Sequence, residues 1–208
     1  MRRAAAGLAL LALLATAAAA ATTRGEDPDW PCPQRLVPRL EASSLWSDPL
    51  PPEAATAWRG SPEAAALVAR LAPRAVDEAE GLRAIETFAA PLGPAARRSL
   101  LPLAFAGLLE ETNRQRGELI ERIKAFARRQ RSLAEAVNRA AAERDAVPPD
   151  ATGEAATRRA DLEQRHFFAA KAFQDAERTL RYVCEAPVRL EARLGAWARA
   201  LEAALPGN

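Results

Sequence analysis

The sequence predicts an all-α protein: a long antiparallel helical hairpin, coiled-coil-like, with shorter packing helices and a Pro/Trp-rich N-terminal arm. Three observations favour this class. Of the 208 residues, 49% are hydrophobic but only 5% are aromatic, so the core must be mainly Ala and Leu. Such side chains suit close helix contacts better than β-sheets, which are richer in Val, Ile, Tyr and Thr. The other two observations are a pair of seven-residue apolar repeats and the proline-glycine turn between them.

Residues 1–21 are typical of an export signal. Arg2 and Arg3 precede an uncharged run of Ala and Leu, and the small residues that end at Ala21 fit the pattern accepted by signal peptidase. We therefore expect this segment to be removed and the protein to be periplasmic. The alternative is that it stays in place as an inner-membrane anchor, because about 20 apolar residues can span a bilayer.

The charge balance gives no general attraction to nucleic acid. The whole chain has 29 Lys and Arg against 27 Asp and Glu, and loss of Arg2 and Arg3 with the signal leaves 27 against 27. A near-neutral protein has no overall field that attracts a polyanion. We therefore expect no nucleic-acid partner.

Residues 22–60 are predicted to form an arm rather than a long helix. This segment contains seven prolines, each of which lacks an amide donor and restricts the residue before it. It also holds three of the four tryptophans: Trp30, Trp46 and Trp58. Only short helices are compatible with this spacing of prolines.

Residues 61–208 are predicted to form a single helical domain. Ser61 is a suitable helix cap, because Pro62 and an acidic residue follow it in the first turn. This first helix should end before Pro73. A second short helix is expected at roughly 74–90, where proline and glycine again end the pattern.

The strongest pattern predicts a hairpin of two helices at about 95–146 and 153–185. Apolar residues recur along both segments at alternating steps of four and three, as in helices that pack along one seam. The turn between the segments is short and rich in proline, so the helices should fold back on each other. The predicted seam contains Leu119, Ile123, Phe126, Leu133, Val137, Leu162, His166, Phe173 and Leu180.

The length of the turn also predicts a register for the hairpin. Folding about its centre sets Phe126 against Phe173 and places Arg116 in the layer of Val183. Two regular repeats can also pair after a slip of seven residues. The shortness of the turn disfavours that slip.

A separate closing helix is predicted at about 188–205. Pro187 has no amide to continue a helix, and its ring clashes with the carbonyl of the preceding turn. The second hairpin helix should therefore end before this proline. Four apolar residues at helical spacing give the closing helix one apolar face: Leu190, Leu194, Trp197 and Leu201.

The chain has two cysteines, Cys32 in the arm and Cys184 at the base of the hairpin. Two cysteines in an exported protein usually form a disulfide. We expect a Cys32–Cys184 bond that fastens the arm to the hairpin. A bond between two copies and a pair of free thiols are the alternatives.

Catalytic and cofactor chemistry is poorly represented. His166 is the one histidine, and it is expected to pack in the seam near Leu133 rather than act as a base, which would need a reactive partner within hydrogen-bond reach. One histidine and two distant cysteines do not match the spacing of known metal sites, and no glycine-rich phosphate loop occurs. We expect a protein that is not an enzyme and has no cofactor. An enzyme that uses His166 with a carboxylate is the weakest alternative.

The sharpest charged feature is a cluster of Arg128, Arg129 and Arg131 on the first hairpin helix. Residues that flank a seam most often pair with acidic residues of the facing helix. The alternative is a basic partner surface, which would contact an acidic protein or an anionic membrane surface.

These features predict an exported, non-enzymatic helical interaction or scaffold protein of the bacterial envelope. Its expected partner is an envelope protein in the periplasm, or a second copy of the chain through self-association. The alternative function is a periplasmic chaperone or holdase for exported proteins, an idea that depends on analogy of shape.

Overall fold

The computed structural model describes residues 27–207. The signal peptide expected at residues 1–21 lies outside this range. All regular secondary structure of the described residues is helical, which confirms the all-α class. The α-helices are α1 (Ala54–Ala57), α2 (Pro62–Leu71), α3 (Glu78–Ala89), α4 (Pro94–Asp145) and α5 (Glu154–Ala203), with 3₁₀ turns at Ala42–Ser44 and Trp58–Gly60.

Side-chain caps set the beginnings of α2 and α3. The Ser61 hydroxyl accepts a hydrogen bond from the amide of Ala64 at 3.3 Å, as its sequence context predicts. The Asp77 carboxylate accepts one from the amide of Glu80 at 2.7 Å. Such caps satisfy amides that have no partner within the helix. The cap at Asp77 explains why α3 begins later than the expected residue 74.

One arginine of α5 binds the backbone of the non-helical segment between α2 and α3. Arg193 Nη1 donates to the carbonyls of Pro73, Arg74 and Val76 at 3.1, 3.4 and 2.7 Å. Its guanidinium also lies 4.6 Å from the ring centre of Trp197, in cation–π geometry. These carbonyls are therefore satisfied by a side chain, and the segment does not need to be helical.

Helices α4 and α5 form the long hairpin, with 52 and 50 residues. Contacts at both ends show that they are antiparallel. Near the turn, Arg159 Nη1 donates to the carbonyl of Arg144 at 3.2 Å, and at the base Arg116 Nη1 donates to that of Pro187 at 2.9 Å. The turn ends at Gly153, whose φ of +62° lies in a region that L side chains rarely adopt.

The prediction of a separate closing helix at about 188–205 was wrong, because α5 continues through Pro187 to Ala203. Pro187 is buried, and nearby carbonyls of α5 have donors from outside the helix. Gln34 Nε2 donates to the carbonyl of Cys184 at 2.6 Å, and Arg116 donates to that of Pro187. The bond that Pro187 removes is the one to the carbonyl of Val183, four residues before it, so these two donors fix the neighbouring turns of α5 rather than replace the lost bond.

The contacts at the base of the hairpin lie close to the predicted register. Arg116 Nη1 donates to the carbonyl of Pro187, four residues beyond the predicted layer of Val183, which is a distance that a long arginine side chain can span. Phe126 lines a hollow together with Ala172, Ala176 and Thr179. The pairing of Phe126 with Phe173 stays a prediction.

The hydrophobic core occupies one end of the molecule, which we call the bundle (residues 40–127 and 184–205). It contains α1 to α3, the first half of α4 and the last part of α5. Leu40 and Trp46 of the expected arm belong to this core, and the Trp46 ring stacks on Phe105 with centroids 4.6 Å apart. Much of the arm is therefore part of the bundle.

The remaining part of α4 and α5, residues 128–183, is a two-helix projection that we call the distal hairpin. Leu162 is its one buried residue. Of the predicted seam, Ile123 and Leu162 are buried at 2% and 5% exposure. The other seam residues are half-buried: Leu119, Phe126, Leu133, Val137, His166, Phe173 and Leu180.

Candidate interaction surface

Residues 27–39, which we call the strap, cross the base of the hairpin. Cys32 and Cys184 are joined by a disulfide, with a distance of 5.5 Å between their Cα atoms. This confirms the predicted pairing within one chain. The disulfide packs on the buried Ile123, and the cluster is completed by Trp30, Leu180 and Val183.

Hydrogen bonds fix the strap on both sides of the disulfide. Trp30 Nε1 donates to the carbonyl of Gln34 at 2.7 Å, which folds the strap into a compact turn. Gln34 in turn donates to Cys184, and Arg116 Nη2 donates to the carbonyl of Val37 at 2.9 Å. The proline-rich backbone is therefore held by side chains rather than by a helix.

Arg116 is a buried cation that joins three parts of the molecule. Only 4% of its surface is exposed, and its guanidinium binds carbonyls of the strap and of α5. Burial lowers its pKa, and the carboxylate of Glu191, 3.1 Å away, acts in the opposite direction. All of these contacts are within the chain, so Arg116 has a structural role in the described molecule.

Acidic residues of the strap account for part of the predicted basic surface. Asp29 pairs with Arg128 at 2.7 Å and also with Arg131. These two contacts lower the pKa of the Asp29 carboxyl group, with the hydrogen bond from Arg128 as the largest cause. Arg129 is exposed and lies beside the hollow at Phe126. The cluster thus binds the strap rather than forming one uninterrupted basic patch.

The second acidic residue of the strap extends this set of ion pairs. Asp27 lies 2.9 Å from the ammonium group of Lys124, and the hydrogen bond from Lys124 lowers the pKa of Asp27. The same contact raises the pKa of Lys124. The first residues of the strap are therefore held on α4 mainly by charge.

An open groove of about 640 Å³ lies between the strap and α5. Pro31 and Pro33 form one wall, and Val188, which is 48% exposed, lies on the other. Apolar side chains and four exposed charged residues line the groove together. The charged residues are Glu177, Arg181, Glu185 and Arg189.

His166 is half-buried, and its Nδ1 lies 3.4 Å from Nη1 of Arg144. The sequence predicted a position near Leu133 in the seam. The nearby carboxylate of Glu163 pairs with Arg159 at 3.1 Å. Within residues 27–207, no three His, Cys, Asp or Glu side chains are grouped so that they could hold a metal ion.

Exposed aromatic residues follow one helix of the hairpin. Phe167, Phe168 and Tyr182 are 62%, 58% and 69% exposed, and all three belong to α5. The two phenylalanine rings meet edge to face with centroids 5.6 Å apart. Of the described residues, α4 exposes no large apolar side chain.

We call the exposed stripe of α5 opposite the seam the α5 outer face. Four of its residues, namely Gln164, Phe168, Asp175 and Tyr182, lie two positions, about 200° around the helix, from a residue of the predicted seam. Sequence reasoning missed this surface, although its steps of four and three repeat those of the seam. It consists of Thr157, Asp161, Gln164, Phe168, Lys171, Asp175, Arg178 and Tyr182, all exposed.

The fold and these contacts define the class of the protein: an all-helical hairpin fastened by a disulfide-bonded strap. No protein-family model, curated protein or solved structure matches the chain. Within the described range, no helix combines the length and the apolar character needed to cross a membrane.

Proposed function

We propose that this protein is a non-enzymatic interaction protein of the bacterial envelope that binds a protein partner through the α5 outer face. The observation that carries this proposal is the exposure of Phe168 and Tyr182 on this face, with Phe167 exposed next to Phe168 on the same helix. Aromatic residues are the commonest anchors of protein interfaces, where they bury large apolar areas. Exposed aromatic side chains add little to the stability of a helix in water, so their presence favours a partner that buries them.

The shape of the molecule supports the same proposal. The α5 outer face extends from Thr157 to Tyr182, about 38 Å at the usual rise of an α-helix. Charged residues separate the aromatic anchors, as at the rim of many interfaces. The distal hairpin projects beyond the core, so a partner can approach this face without contacting α1 to α3.

The proposed location is the periplasm. The export signal predicted at residues 1–21 and the Cys32–Cys184 bond support it, because disulfides persist in oxidising compartments.

A crosslinking pull-down from intact cells tests the proposed function. The full chain should capture one dominant partner, and Phe168→Ala should reduce capture about tenfold or more, because an interface anchor is lost. The matched control is Arg139→Ala on the exposed face of α4, where Arg139 pairs with Glu135. Equal capture by both variants, or capture of many unrelated proteins, would contradict the proposal.

A second candidate function, a chaperone or holdase for exported proteins, is favoured by the groove between the strap and α5. An apolar cavity of about 640 Å³ is large enough for side chains of an unfolded client. If this function is correct, the protein should suppress aggregation of a denatured exported protein, and Val188→Asp should abolish suppression. Absence of protection at equimolar concentration would exclude it.

A further inference from the structure

The charges of the α5 outer face fall into two positional classes. Along the face, steps of four alternate with steps of three, so its residues form two interleaved sets. Residues that begin a step of four are neutral or basic, namely Thr157, Gln164, Lys171 and Arg178. Residues that begin a step of three, and Tyr182, which continues that set, are acidic or aromatic, namely Asp161, Phe168, Asp175 and Tyr182.

We propose that the partner on the α5 outer face is a second copy of this chain, with the two α5 helices antiparallel about a twofold axis. This inference rests on the proposed function, because it names the partner of the same surface. The twofold axis passes between Phe168 and Lys171, which lie at the centre of the α5 outer face. The interface is isologous, so every contact occurs twice.

Charge complementarity determines the direction of pairing. When two helices with this spacing pack antiparallel, a residue that begins a step of four faces a residue of the second copy that begins a step of three. Arg178 then faces Asp161 of the second copy, and Gln164 faces its Asp175. A parallel pair would place each residue opposite its own copy, so that Asp161, Lys171 and Arg178 would all meet like charges. Like charges in contact disfavour that arrangement.

The aromatic residues are covered in the same register. Phe168 lies against Lys171 of the second copy, where the ring can contact both the aliphatic stem and the ammonium group. Tyr182 lies against Thr157 of the second copy. The pairing therefore buries two aromatic side chains of each chain in the heptad positions.

Existing ion pairs on α5 do not prevent this association. Asp175 lies 3.7 Å from Lys171 and 3.4 Å from Arg178, and all three side chains are more than half exposed. Exposed pairs of this kind contribute little to stability. The charges can therefore pair across an interface at small cost.

The groove lies along α5 near the Tyr182 end of this interface. In the proposed register, Thr157 of the second copy faces Tyr182, so the turn before its α5, at residues 146–153, lies toward the groove. The turn contains Pro148 and Pro149, which are both exposed in the single chain. An apolar wall formed by Pro31 and Pro33 is a suitable contact for them.

The opposite side of the hairpin has no comparable surface. The positions of α4 that correspond to the α5 outer face hold small or charged residues. They are Glu121, Ala125, Arg128, Ser132, Glu135 and Arg139. Arg128 already forms an ion pair with Asp29 of the strap. The structure therefore gives a reason for pairing through α5 rather than α4.

Sedimentation equilibrium on the oxidised chain without its signal tests the proposal by exchange of charges. Asp161→Arg and Arg178→Glu should each raise the dimer dissociation constant about tenfold, because two symmetry-related pairs become repulsive. The double variant should restore the constant to within about threefold of the original, since the exchanged charges attract again. Glu135→Arg on α4 is the matched control and should leave it unchanged. Circular dichroism verifies that each variant is helical.

The outcomes separate this inference from the proposed function. A protein that is monomeric at all concentrations, but still captures a different envelope protein in a Phe168-dependent way, would overturn self-pairing and keep the function. A monomer without any Phe168-dependent partner would overturn both. A dimer whose dissociation constant does not respond to Asp161→Arg or Arg178→Glu would overturn the proposed surface.

Discussion

The bundle and the distal hairpin use the same two helices in different ways. In the bundle, α4 and α5 are covered by α1 to α3 and the residues after the strap, and side chains such as Phe105, Leu194 and Trp197 are at most 1% exposed. In the distal hairpin, each helix has only the other as a neighbour, and Leu162 is its one buried residue. Burial thus depends on the number of neighbouring elements rather than on the seam pattern alone.

This difference separates stability from surface. A residue in the bundle removes a large apolar area from water, whereas a residue of the distal seam removes only part of its area. The distal hairpin should therefore open locally at a lower free energy than the bundle. Its exposed side is in return available to a partner. The strap and its disulfide lie at the junction of the two regions.

The largest expected effect comes from the disulfide at this junction. Replacing both Cys32 and Cys184 with Ser releases a link across 152 residues, which would cost up to about 5 kcal/mol in the chain-entropy description. Urea unfolding of the oxidised protein and of the double variant measures the difference. Stabilities within about 1 kcal/mol of each other would show that residual structure restrains the unfolded chain even without the disulfide.

The same substitution in the two regions tests the comparison directly. Phe105→Ala in the bundle should lower the free energy of unfolding by about 3 to 5 kcal/mol, because it leaves a cavity beside Trp46. Phe173→Ala, in the half-buried seam of the distal hairpin, should cost about 1 to 2 kcal/mol. Chemical denaturation measures both. Equal losses would mean that the seam is as tightly packed as the core.

Two arginines two residues apart on α4 provide a sharper comparison. Arg116→Ala should cost about 2 to 3 kcal/mol, because the carbonyls of Val37 and Pro187 lose a charged donor. Arg114→Ala should cost less than about 1 kcal/mol, because Arg114 is exposed and forms only surface pairs with Glu111 and Glu118. Thermal unfolding of the two variants compares their losses of stability. A larger loss in Arg114→Ala than in Arg116→Ala would contradict the prediction.

The smallest expected effect is the dependence of the strap on acid. Asp27 and Asp29 have an ordinary pKa of 3.8, which their basic partners lower in the folded protein. Their contribution is therefore complete above about pH 4 and is lost as the pH falls through the lowered values. The protection of amides in residues 27–39, measured as the hydrogen-exchange rate relative to the intrinsic rate at each pH, should fall in this range. A variant with Asn at both positions should exchange faster at neutral pH and show a weaker dependence on acid.

Local patterns predicted the helices but not all of their boundaries. The cap at Ser61 and the seven-residue repeats gave α2, α4 and the first part of α5, because these signals act within a few turns of the chain. The beginning of α3 was placed too early, at about residue 74, although Asp77 is a local cap signal, and Arg193 holds the preceding carbonyls from a distant position. The continuation through Pro187 was also missed, in a part of α5 where Gln34 and Arg116, both distant in the chain, bind the carbonyls of Cys184 and Pro187.

The candidate surface was only partly accessible to sequence reasoning. The cluster at Arg128 was visible, but its pairing with Asp29 depends on where the strap crosses the hairpin. Phe168 and Tyr182 were not singled out, although they repeat the spacing of the seam two residues further along the chain. Exposure identified them, and exposure depends on which side of α5 faces α4.

The sequence by itself determined the all-helical class and the hairpin and predicted the bond between Cys32 and Cys184, because repeat spacing, turn composition and cysteine number constrain those features without tertiary information. The tertiary structure decided the course of the strap, the passage of α5 through Pro187 and the exposure of the α5 outer face. The physical reason is common to all three. Each depends on contacts between residues far apart in the chain, such as Arg116 with Val37 and Pro187, and a local pattern does not encode which distant groups will meet.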